Sequence, residues 1–401
     1  MPRFIAIPVA QGDAFYLERE GFSVLIDGGR SRPALPSMFQ AVTKTDGVNV
    51  VVCTHNDADH ANGILGFLEA GLRCEEVWLP GRWLSALPDV LRPFVQVFGE
   101  LVEDIAATNS SSNIETPQSS LSPIEAYAER VHRPSTDAPA SEKGPSVAED
   151  GWPESYLEML EQAEPWEVPP RWPGPWDTED WPFRRYLHYP RLGPAGTQLL
   201  WSAIDAAGRI RAIATEAFHR GIPVRWFEFD TGKPSGGVSA LQPLNARAVA
   251  RVAPRVGPLL AWLALTVWNK ESLVFWSPPT EHHPAVLFTA DSDLAGVSLP
   301  SQLDRGVATA PHHGSEANAN AYRAVAAAVQ NGPQSMTWVR SDGRYRSRPG
   351  STYLGLASRR LCTLCRRARG SSTAKQAVHL YSRGGVWARH PASRVCSCQE
   401  A

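Results

Sequence analysis

The feature that most constrains this chain is a dense group of polar residues directly after an apolar run. Residues 48–53 read Val-Asn-Val-Val-Val-Cys, which predicts a buried interior strand because only Asn49 is polar. The next seven residues read Thr-His-Asn-Asp-Ala-Asp-His. In open α/β sheets, ligands bind at the carboxyl ends of the strands. Four side chains here are therefore candidate metal ligands: His55, Asp57, Asp59 and His60. The alternative is a polar loop that caps the following helix, with Asp59 near the N-cap.

Three further motifs make the metal-site interpretation stronger. One apolar strand pattern ends in Asp27, before two glycines that permit a sharp turn. Another ends in Asp291. His312 and His313 form a histidine pair followed by Gly-Ser, in a loop after a further apolar stretch. Each motif is weak by itself, but this combination is hard to explain by core packing alone.

Composition divides the chain into four segments. Residues 1–100 alternate between strand-like and helical patterns. Residues 101–200 hold 14 of the 34 prolines and five of the 14 tryptophans, which predicts a partly irregular insertion with short helices such as one over residues 156–163. Strand and helix patterns resume over residues 201–355, with helical spacing expected over 246–265. A basic segment with four cysteines closes the chain from residue 356 to residue 401. We therefore expect one α/β domain that is interrupted by the insertion.

The charge is unevenly distributed along the chain. The formal net charge is −2, but residues 101–200 carry 7 basic and 17 acidic side chains, whereas residues 301–401 carry 15 and 4. Because local charge steers a ligand, an anionic substrate such as a nucleic acid is not excluded. The amino terminus lacks the pattern of an export signal, and the apolar run over residues 258–268 is about half of the roughly 20 residues that a membrane span needs. We expect a cytoplasmic protein without a membrane partner.

The motifs, taken in order, resemble those of the metallo-β-lactamase-fold hydrolases. That family carries Asp-Gly, His-x-His-x-Asp-His, a distal aspartate and a distal histidine. The variant here has Asp57 in place of the second histidine and His-His-Gly-Ser at 312–315, and it is most similar to the hydrolase domain of the DNA-uptake protein ComEC and its soluble relatives. Residues 9–14, Val-Ala-Gln-Gly-Asp-Ala, and residues 269–274, Asn-Lys-Glu-Ser-Leu-Val, also resemble motifs of that group.

The resemblance covers about residues 1–85 and 220–355, and what it implies is stated here as expectation. The fold would be a metallo-β-lactamase-like αβ/βα sandwich with a Pro/Trp-rich acidic insertion. Two divalent metal ions are implied, with zinc favoured and manganese an alternative because Asp57 is a hard oxygen ligand. The implied ligands are His55, Asp57, Asp59, His60, Asp291 and one of His312 and His313.

The implied reaction is hydrolysis by a metal-bound hydroxide, which two cations can generate at neutral pH. Asp59 would orient the hydroxide, with Asp57 and His60 beside it, and Asp291 would bridge the ions. Asp27 would orient the histidine loop without binding metal itself. A phosphodiester, nucleic acid included, is the favoured substrate. Two alternatives are a hydrolase of a small ester, lactone or thioester, and a catalytically degenerate sensor or partner protein whose Trp-rich insertion docks another protein.

One departure from the related group concerns a segment after the paired histidines. That group often carries Asn-x-Tyr-x-His-Pro there, whereas residues 343–349 read Gly-Arg-Tyr-Arg-Ser-Arg-Pro and contain no histidine. Arg344, Arg346 and Arg348 could instead bind a substrate phosphate, as guanidinium groups do. The alternative is that these arginines are solvated surface residues.

The cysteines suggest a second metal site. Cys362 and Cys365 form one close pair, and Cys396 and Cys398 form another about 30 residues later. Two such pairs are compatible with a four-thiolate structural zinc ion, although Cys-x-Cys is less typical than a second Cys-x-x-Cys. The alternative is a set of reduced cytosolic thiols. Cys53, within the apolar strand pattern, is expected to be a core residue.

Overall fold

The computed structural model describes residues 1–9, 11–111, 122–131, 144–166, 192–341, 348–365 and 373–398. The chain forms two compact units. The first comprises Met1–Gly81, Arg220–Val249 and Asn269–Ala401, and the second comprises Arg82–His219 and Ala250–Trp268. The second unit therefore begins at Arg82, before the change in composition near residue 101, and it also includes residues 250–268.

The first unit contains two β-sheets, and the larger has nine strands. These are β1 (Arg3–Ala6), β2 (Phe15–Arg19), β3 (Phe22–Ile26), β4 (Gly47–Val52), β5 (Arg73–Pro80), β6 (Val224–Phe229), β8 (Ala246–Ala248), β14 (Val378–Arg383) and β15 (Val386–Arg389). Their order across the sheet is β15-β14-β1-β2-β3-β4-β5-β6-β8. The four strands β3 to β6 are parallel, so their carboxyl ends meet at one edge of the sheet.

The smaller sheet has six strands. These are β7 (Gln242–Pro243), β9 (Phe275–Ser277), β10 (Val286–Phe288), β11 (Val307–Thr309), β12 (Thr337–Arg340) and β13 (Arg359–Cys362). Their order is β13-β12-β11-β10-β9-β7. Strands β10 to β13 are parallel, which gives this sheet a second edge of carboxyl ends.

The described residues form ten α-helices. They are α1 (Ala34–Thr43), α2 (Ala58–Glu69), α3 (Gly81–Val90), α4 (Phe94–Ser111), α5 (Pro123–Val131), α6 (Leu157–Glu161), α7 (Gly193–His219), α8 (Leu259–Thr266), α9 (Ala319–Ala328) and α10 (Ser351–Leu354). In the parts of the chain that the structure describes, every helix is too short or too polar to cross a lipid bilayer.

The two sheets pack face to face through apolar side chains. The ring of Phe288 in the smaller sheet lies 6.1 Å from that of Phe4 and 6.4 Å from that of Phe15 in the larger sheet. The ring centroids of Trp78 and Phe275 are 5.5 Å apart across the same interface. All five side chains are buried. This interface is the main hydrophobic core of the first unit.

Helices cover the outer face of each sheet. On the larger sheet, Phe39 of α1 contacts Tyr16 of β2 and Phe67 of α2, with ring centroids 5.9 and 5.3 Å away. On the smaller sheet, Tyr322 of α9 packs against Trp338 of β12, with centroids 4.8 Å apart. The first unit is therefore a helix–sheet–sheet–helix sandwich, and the predicted α/β class is confirmed.

The second unit is largely helical and contains α4 to α8 together with α3 from Arg82 onward. Arg211 of α7 is buried, donates to the carbonyl oxygens of Val90 and Leu91 at 3.0 and 2.6 Å, and lies 5.4 Å from the ring centroid of Trp166. Trp152 packs edge-on against Phe218. The two described tryptophans of the 101–200 segment therefore pack inside this unit. The other three tryptophans of that segment lie outside the described residues.

The helical spacing predicted over residues 246–265 is wrong for the first part of that range. Residues 246–248 form β8 and pair with β6, and the helix α8 begins only at Leu259. Buried residues occur on several faces of α8, so the chain there lacks the one-sided apolar spacing that would show where the helix begins.

Candidate metal centre

The predicted site residues lie just beyond the carboxyl ends of strands in both sheets. Asp27 directly follows β3, and residues 54–60 follow β4. Asp291 lies three residues after β10, and the pair 312–313 lies three residues after β11. The parallel strands of each sheet end at one edge, so these segments meet there although they are far apart in sequence.

Asp291 lies at the centre of the group and is 2% exposed. Its Oδ1 atom is 3.2 Å from Nε2 of His60. Its Oδ2 atom is 3.9 Å from Nε2 of His55 and 3.3 Å from Nε2 of His312. Oδ2 of Asp57 also lies 3.6 Å from the Nε2 atom of His55. One carboxylate therefore faces three of the predicted histidines.

Two triplets of side chains place one potential ligand atom each within 4.8 Å of the others. The first is His55, His60 and Asp291, and the second is Asp59, His60 and His313. In the second triplet, Oδ2 of Asp59 lies 3.4 Å from Nε2 of His313. His60 belongs to both triplets, and because its Nε2 atom has a single lone pair it can bind only one cation at a time.

Asp27 and Thr54 fix the orientation of two histidines. The Asp27 carboxylate accepts hydrogen bonds from Nδ1 of His60 at 2.8 Å and from the backbone N and Oγ1 of Thr54 at 2.9 and 2.8 Å. Since the Thr54 hydroxyl donates to Asp27, it accepts from Nδ1 of His55, 3.0 Å away. Both histidines thus carry a proton on Nδ1 and direct Nε2 to the centre, which is the arrangement of metal-binding imidazoles.

Asp13 performs the same task for His313, and sequence reasoning did not assign this role. Its Oδ1 atom lies 2.9 Å from Nδ1 of His313, and both side chains are buried. Gly12 allows the approach, because its φ is +96° and a Cβ there would lie 1.7 Å from the carbonyl oxygen of Asp59. The sequence signal for this contact was the glycine–aspartate pair at residues 12–13, after the first strand. Its histidine partner lies 300 residues later in the chain, so the pair by itself did not reveal the contact.

The donor atoms fit a divalent cation. Among the described residues, Nε2 of His55, His60 and His313 and Oδ1 of Asp291 are buried and have no hydrogen-bond partner of normal geometry. Leaving such buried groups unpaired costs about 1–3 kcal/mol each. Imidazole nitrogens with carboxylate oxygens suit zinc or manganese. Cations bound at the two triplets would supply partners for these atoms.

The alternative of a helix-capping loop is poorly supported by the geometry. Asp57 holds the N-cap position of α2, but its side chain makes no capping hydrogen bond. Asp59 lies in the first turn of that helix, and its carboxylate faces His313. Both carboxylates therefore point to the histidines instead of the helix amides.

Charges within the group shift several pKa values strongly. Burial lowers the pKa of His313, but Asp13 and Asp59 outweigh it and raise that pKa to about 10. Burial likewise opposes protonation of His60, yet Asp291 and Asp27 raise its pKa well above 6.5. The carboxylates thus favour positive charge at the centre, and a metal ion would compete with these protons.

His312 differs from its neighbour. Its Nε2 atom receives a hydrogen bond from Arg348 and lies 3.4 Å from Nδ2 of Asn269. Burial, with a further contribution from Arg348, lowers its pKa to about 3, so the ring is neutral at pH 7. The geometry therefore favours His313 over His312 as the distal ligand. Arg348 itself is 7% exposed, while Arg344 and Arg346 lie outside the described residues.

The backbone is strained around the centre. Four residues other than glycine adopt positive φ angles at the ends of the site strands: Asp27 at 58°, Ala290 at 47°, His312 at 46° and His313 at 55°. Such conformations cost of the order of 1–3 kcal/mol each and concentrate at functional sites. Strain at these positions supports a role for the loops beyond connecting strands.

The four cysteines predicted to form a second site also come together in the first unit. Their sulfur atoms lie within 4.8 Å of one another.

Cys53 is fully buried, and its Sγ donates to the carbonyl oxygen of His55 at 3.2 Å.

Residues 7–71 match a family model described as the metallo-beta-lactamase superfamily. The matched range contains Asp13, Asp27 and the whole 54–60 motif. No curated protein matches the chain. The paired sheets, the outer helices and the position of the motifs at the strand ends agree with this match. The first unit of the chain therefore has a metallo-β-lactamase-like α/β sandwich fold, with histidine and aspartate side chains that could bind metal.

Proposed function

We propose that this chain is a metal-dependent hydrolase that acts on phosphodiesters. One observation carries the proposal: three buried histidines, each held through Nδ1, direct unpaired Nε2 atoms to a centre shared with Asp291. Core packing does not explain such an arrangement, because the polar atoms remain unsatisfied without a ligand.

The ligands that we propose divide between two cations. His55, Asp57 and Asp291 would hold one ion, and Asp59, His60 and His313 would hold the other. When bound, divalent ions act as Lewis acids and lower the pKa of nearby water. Zinc and manganese both suit these nitrogen and oxygen donors.

The protein residues around the metal ligands have a separate task. Asp27, Thr54 and Asp13 hold the imidazole rings in one tautomer and one orientation. Because these partners are buried, the rings cannot rotate without breaking hydrogen bonds in a dry environment. The ligand atoms are therefore preorganised before metal arrives, which lowers the cost of binding.

Arg348 supports a phosphodiester as the substrate class. Its guanidinium group contacts His312, whose Nε2 atom is 3.3 Å from Asp291, so a fixed positive charge lies one side chain from the centre. Arginine binds phosphate oxygens through parallel hydrogen bonds, and a buried guanidinium does so more strongly than a solvated one. A neutral ester would gain much less from this charge.

The test compares metal content and hydrolysis in the full chain and three variants. Bis(p-nitrophenyl) phosphate reports phosphodiester cleavage, and p-nitrophenyl acetate reports ester cleavage. Asp291→Asn and His60→Ala should each lower phosphodiester turnover at least 100-fold and reduce bound metal, because each removes a central ligand. His282→Ala, whose side chain is 75% exposed, serves as the control and should match the wild type.

Three outcomes would contradict the proposal. Unchanged turnover in Asp291→Asn and His60→Ala would show that the assigned centre is wrong. Hydrolysis of the acetate without hydrolysis of the phosphodiester would favour the small-ester alternative. If the purified chain binds less than one equivalent of metal after supplementation, both the phosphodiesterase and the small-ester hydrolase are excluded. A non-enzymatic binding role would then be favoured.

A further inference from the structure

A second cluster of metal-capable side chains lies in the first unit, apart from the histidine centre. Cys362 ends β13, Cys365 follows it by three residues, and Cys396 and Cys398 lie after β15. The sulfur of Cys362 is 3.1 Å from that of Cys396 and 3.9 Å from that of Cys398. All four sulfurs lie within 4.8 Å of one another.

These distances suit a tetrahedral zinc site better than disulfides. A zinc–sulfur bond of about 2.3 Å implies about 3.8 Å between sulfurs at the corners of a tetrahedron. A disulfide requires about 2.05 Å between two sulfurs and would leave the other two cysteines to form a separate pair. All four cysteines are free thiols in the structure, and Cys362, Cys365 and Cys398 are buried.

A buried arginine provides an independent observation. Arg340 of β12 is 0% exposed, and its Nε and Nη2 atoms lie 3.4 Å from the sulfurs of Cys362 and Cys398. No carboxylate forms an ion pair with Arg340 among the described residues. Four thiolates around one Zn²⁺ carry a net charge of −2, so a zinc-bound cluster would supply the anion that this guanidinium requires.

Backbone pairing holds the cluster in register. Arg340 and Cys362 are direct partners on the parallel strands β12 and β13. The backbone N of Cys396 donates to the carbonyl oxygen of Arg360 at 2.9 Å, which brings the carboxyl-terminal pair to β13. The backbone N of Ser397 points to the sulfur of Cys365 at 3.4 Å. Hydrogen bonds from amides to sulfur are typical of thiolate ligands.

We propose that Cys362, Cys365, Cys396 and Cys398 bind one structural zinc ion, with Arg340 as its counter-charge. The site is distinct from the histidine centre and from the proposed hydrolysis. Arg340 also reaches the histidine turn, since its Nη1 lies 3.5 Å from the carbonyl oxygen of His313 and its Cδ would touch a Cβ at Gly314. The zinc ion would thus fix a side chain that supports this turn.

The experiment uses cobalt as a spectroscopic substitute for zinc in the full chain. The double variant His60→Ala/Asp291→Asn removes the histidine centre, so any remaining cobalt reports on the cysteines. We expect this variant to bind about one equivalent of Co²⁺ with the intense thiolate-to-cobalt charge-transfer absorption and the visible bands of tetrahedral coordination. Adding Cys398→Ser should abolish most of that absorption. Adding Cys74→Ser instead, at a cysteine outside the cluster, should leave it unchanged.

The wild-type chain gives a readout that does not depend on the folding of a variant. A mercurial thiol reagent should release one equivalent of zinc from the native protein in step with modification of four thiols. Release of zinc without thiol modification, cobalt spectra without charge-transfer bands, or recovery of the four cysteines as disulfides from reduced, zinc-supplemented protein would overturn the proposal. None of these readouts uses hydrolysis, so failure of the hydrolase proposal would be seen separately.

Discussion

Replacing Asp27 by asparagine separates orientation of a ligand from binding of the metal itself. Asp27 accepts three hydrogen bonds, one from His60 and two from Thr54, and is 1% exposed. Asparagine has nearly the same shape and accepts the left-handed backbone that Asp27 adopts at φ 58°. It provides one acceptor oxygen instead of two, so its amide group faces a donor from His60 or Thr54.

We expect metal affinity to fall about 10- to 100-fold in Asp27→Asn, since residues that orient a ligating histidine have effects of that size. This corresponds to about 1.4–2.7 kcal/mol of binding free energy. The measurement is a competition titration of Zn²⁺ against a chromophoric chelator at fixed pH. The control is Asp46→Asn, which makes the same chemical change at a surface ion pair where the carboxylate is 60% exposed, and it should leave the dissociation constant unchanged.

If the dissociation constant for Zn²⁺ changes less than about threefold in Asp27→Asn, Asp27 does not control metal affinity through the orientation of the His60 ring. Circular dichroism and the thermal midpoint of the metal-free protein check that the variant is folded. If both variants lose affinity equally, the effect comes from net charge and not from orientation.

Three more predictions concern metal binding and helix packing. Asp13→Asn should weaken metal binding about as much as Asp27→Asn, because Asp13 holds His313 as Asp27 holds His60; an unchanged affinity in the same titration would remove Asp13 from the centre. Gly63→Ala should lower the free energy of unfolding by about 1–3 kcal/mol, because a Cβ there would lie 1.8 Å from the carbonyl oxygen of Gly28. Gly208→Ala, also within a helix but with only an ordinary 4.0 Å contact from its Cβ to the Trp166 ring, should gain about 0.5–1 kcal/mol, and equal thermal shifts in the two variants would contradict the packing argument. Chelation of bound metal should lower the thermal midpoint reversibly, because a ligand present at 100 times its dissociation constant stabilises the folded state by about 2.7 kcal/mol.

The core of the centre could be predicted because each residue follows a recognisable strand. An apolar run that ends in a polar group places that group at the edge of a parallel sheet. Asp27, Asp291 and the 54–60 motif all obey this rule, and the structure brings them together. The sequence could not decide between His312 and His313, since that choice depends on Asp13 and Arg348, which contact these histidines from other segments.

Other features depend on contacts that local patterns do not encode. Residues 246–265 contain apolar residues at several spacings, so the local pattern does not distinguish strand β8 from helix α8. The strand is defined by its pairing with β6, which lies outside this segment. The Pro-rich composition of residues 101–200 did not reveal that α7 begins at Gly193 and continues to His219. Long helices here are stabilised by buried apolar faces contributed by distant segments.

The way the chain passes between the two units limits the order in which the protein can be completed during synthesis. The helical unit contains its last segment once residue 268 has emerged from the ribosome. The histidine centre still lacks Asp291 and His313 at that point, and the Asp13 carboxylate still lacks the His313 ring that it contacts in the folded chain. A nascent chain therefore holds His55 to His60 without the proposed distal ligands, Asp291 and His313, for more than two hundred residues of elongation. Under the proposed ligand assignment, the metal centre is complete only after residue 313 has been translated.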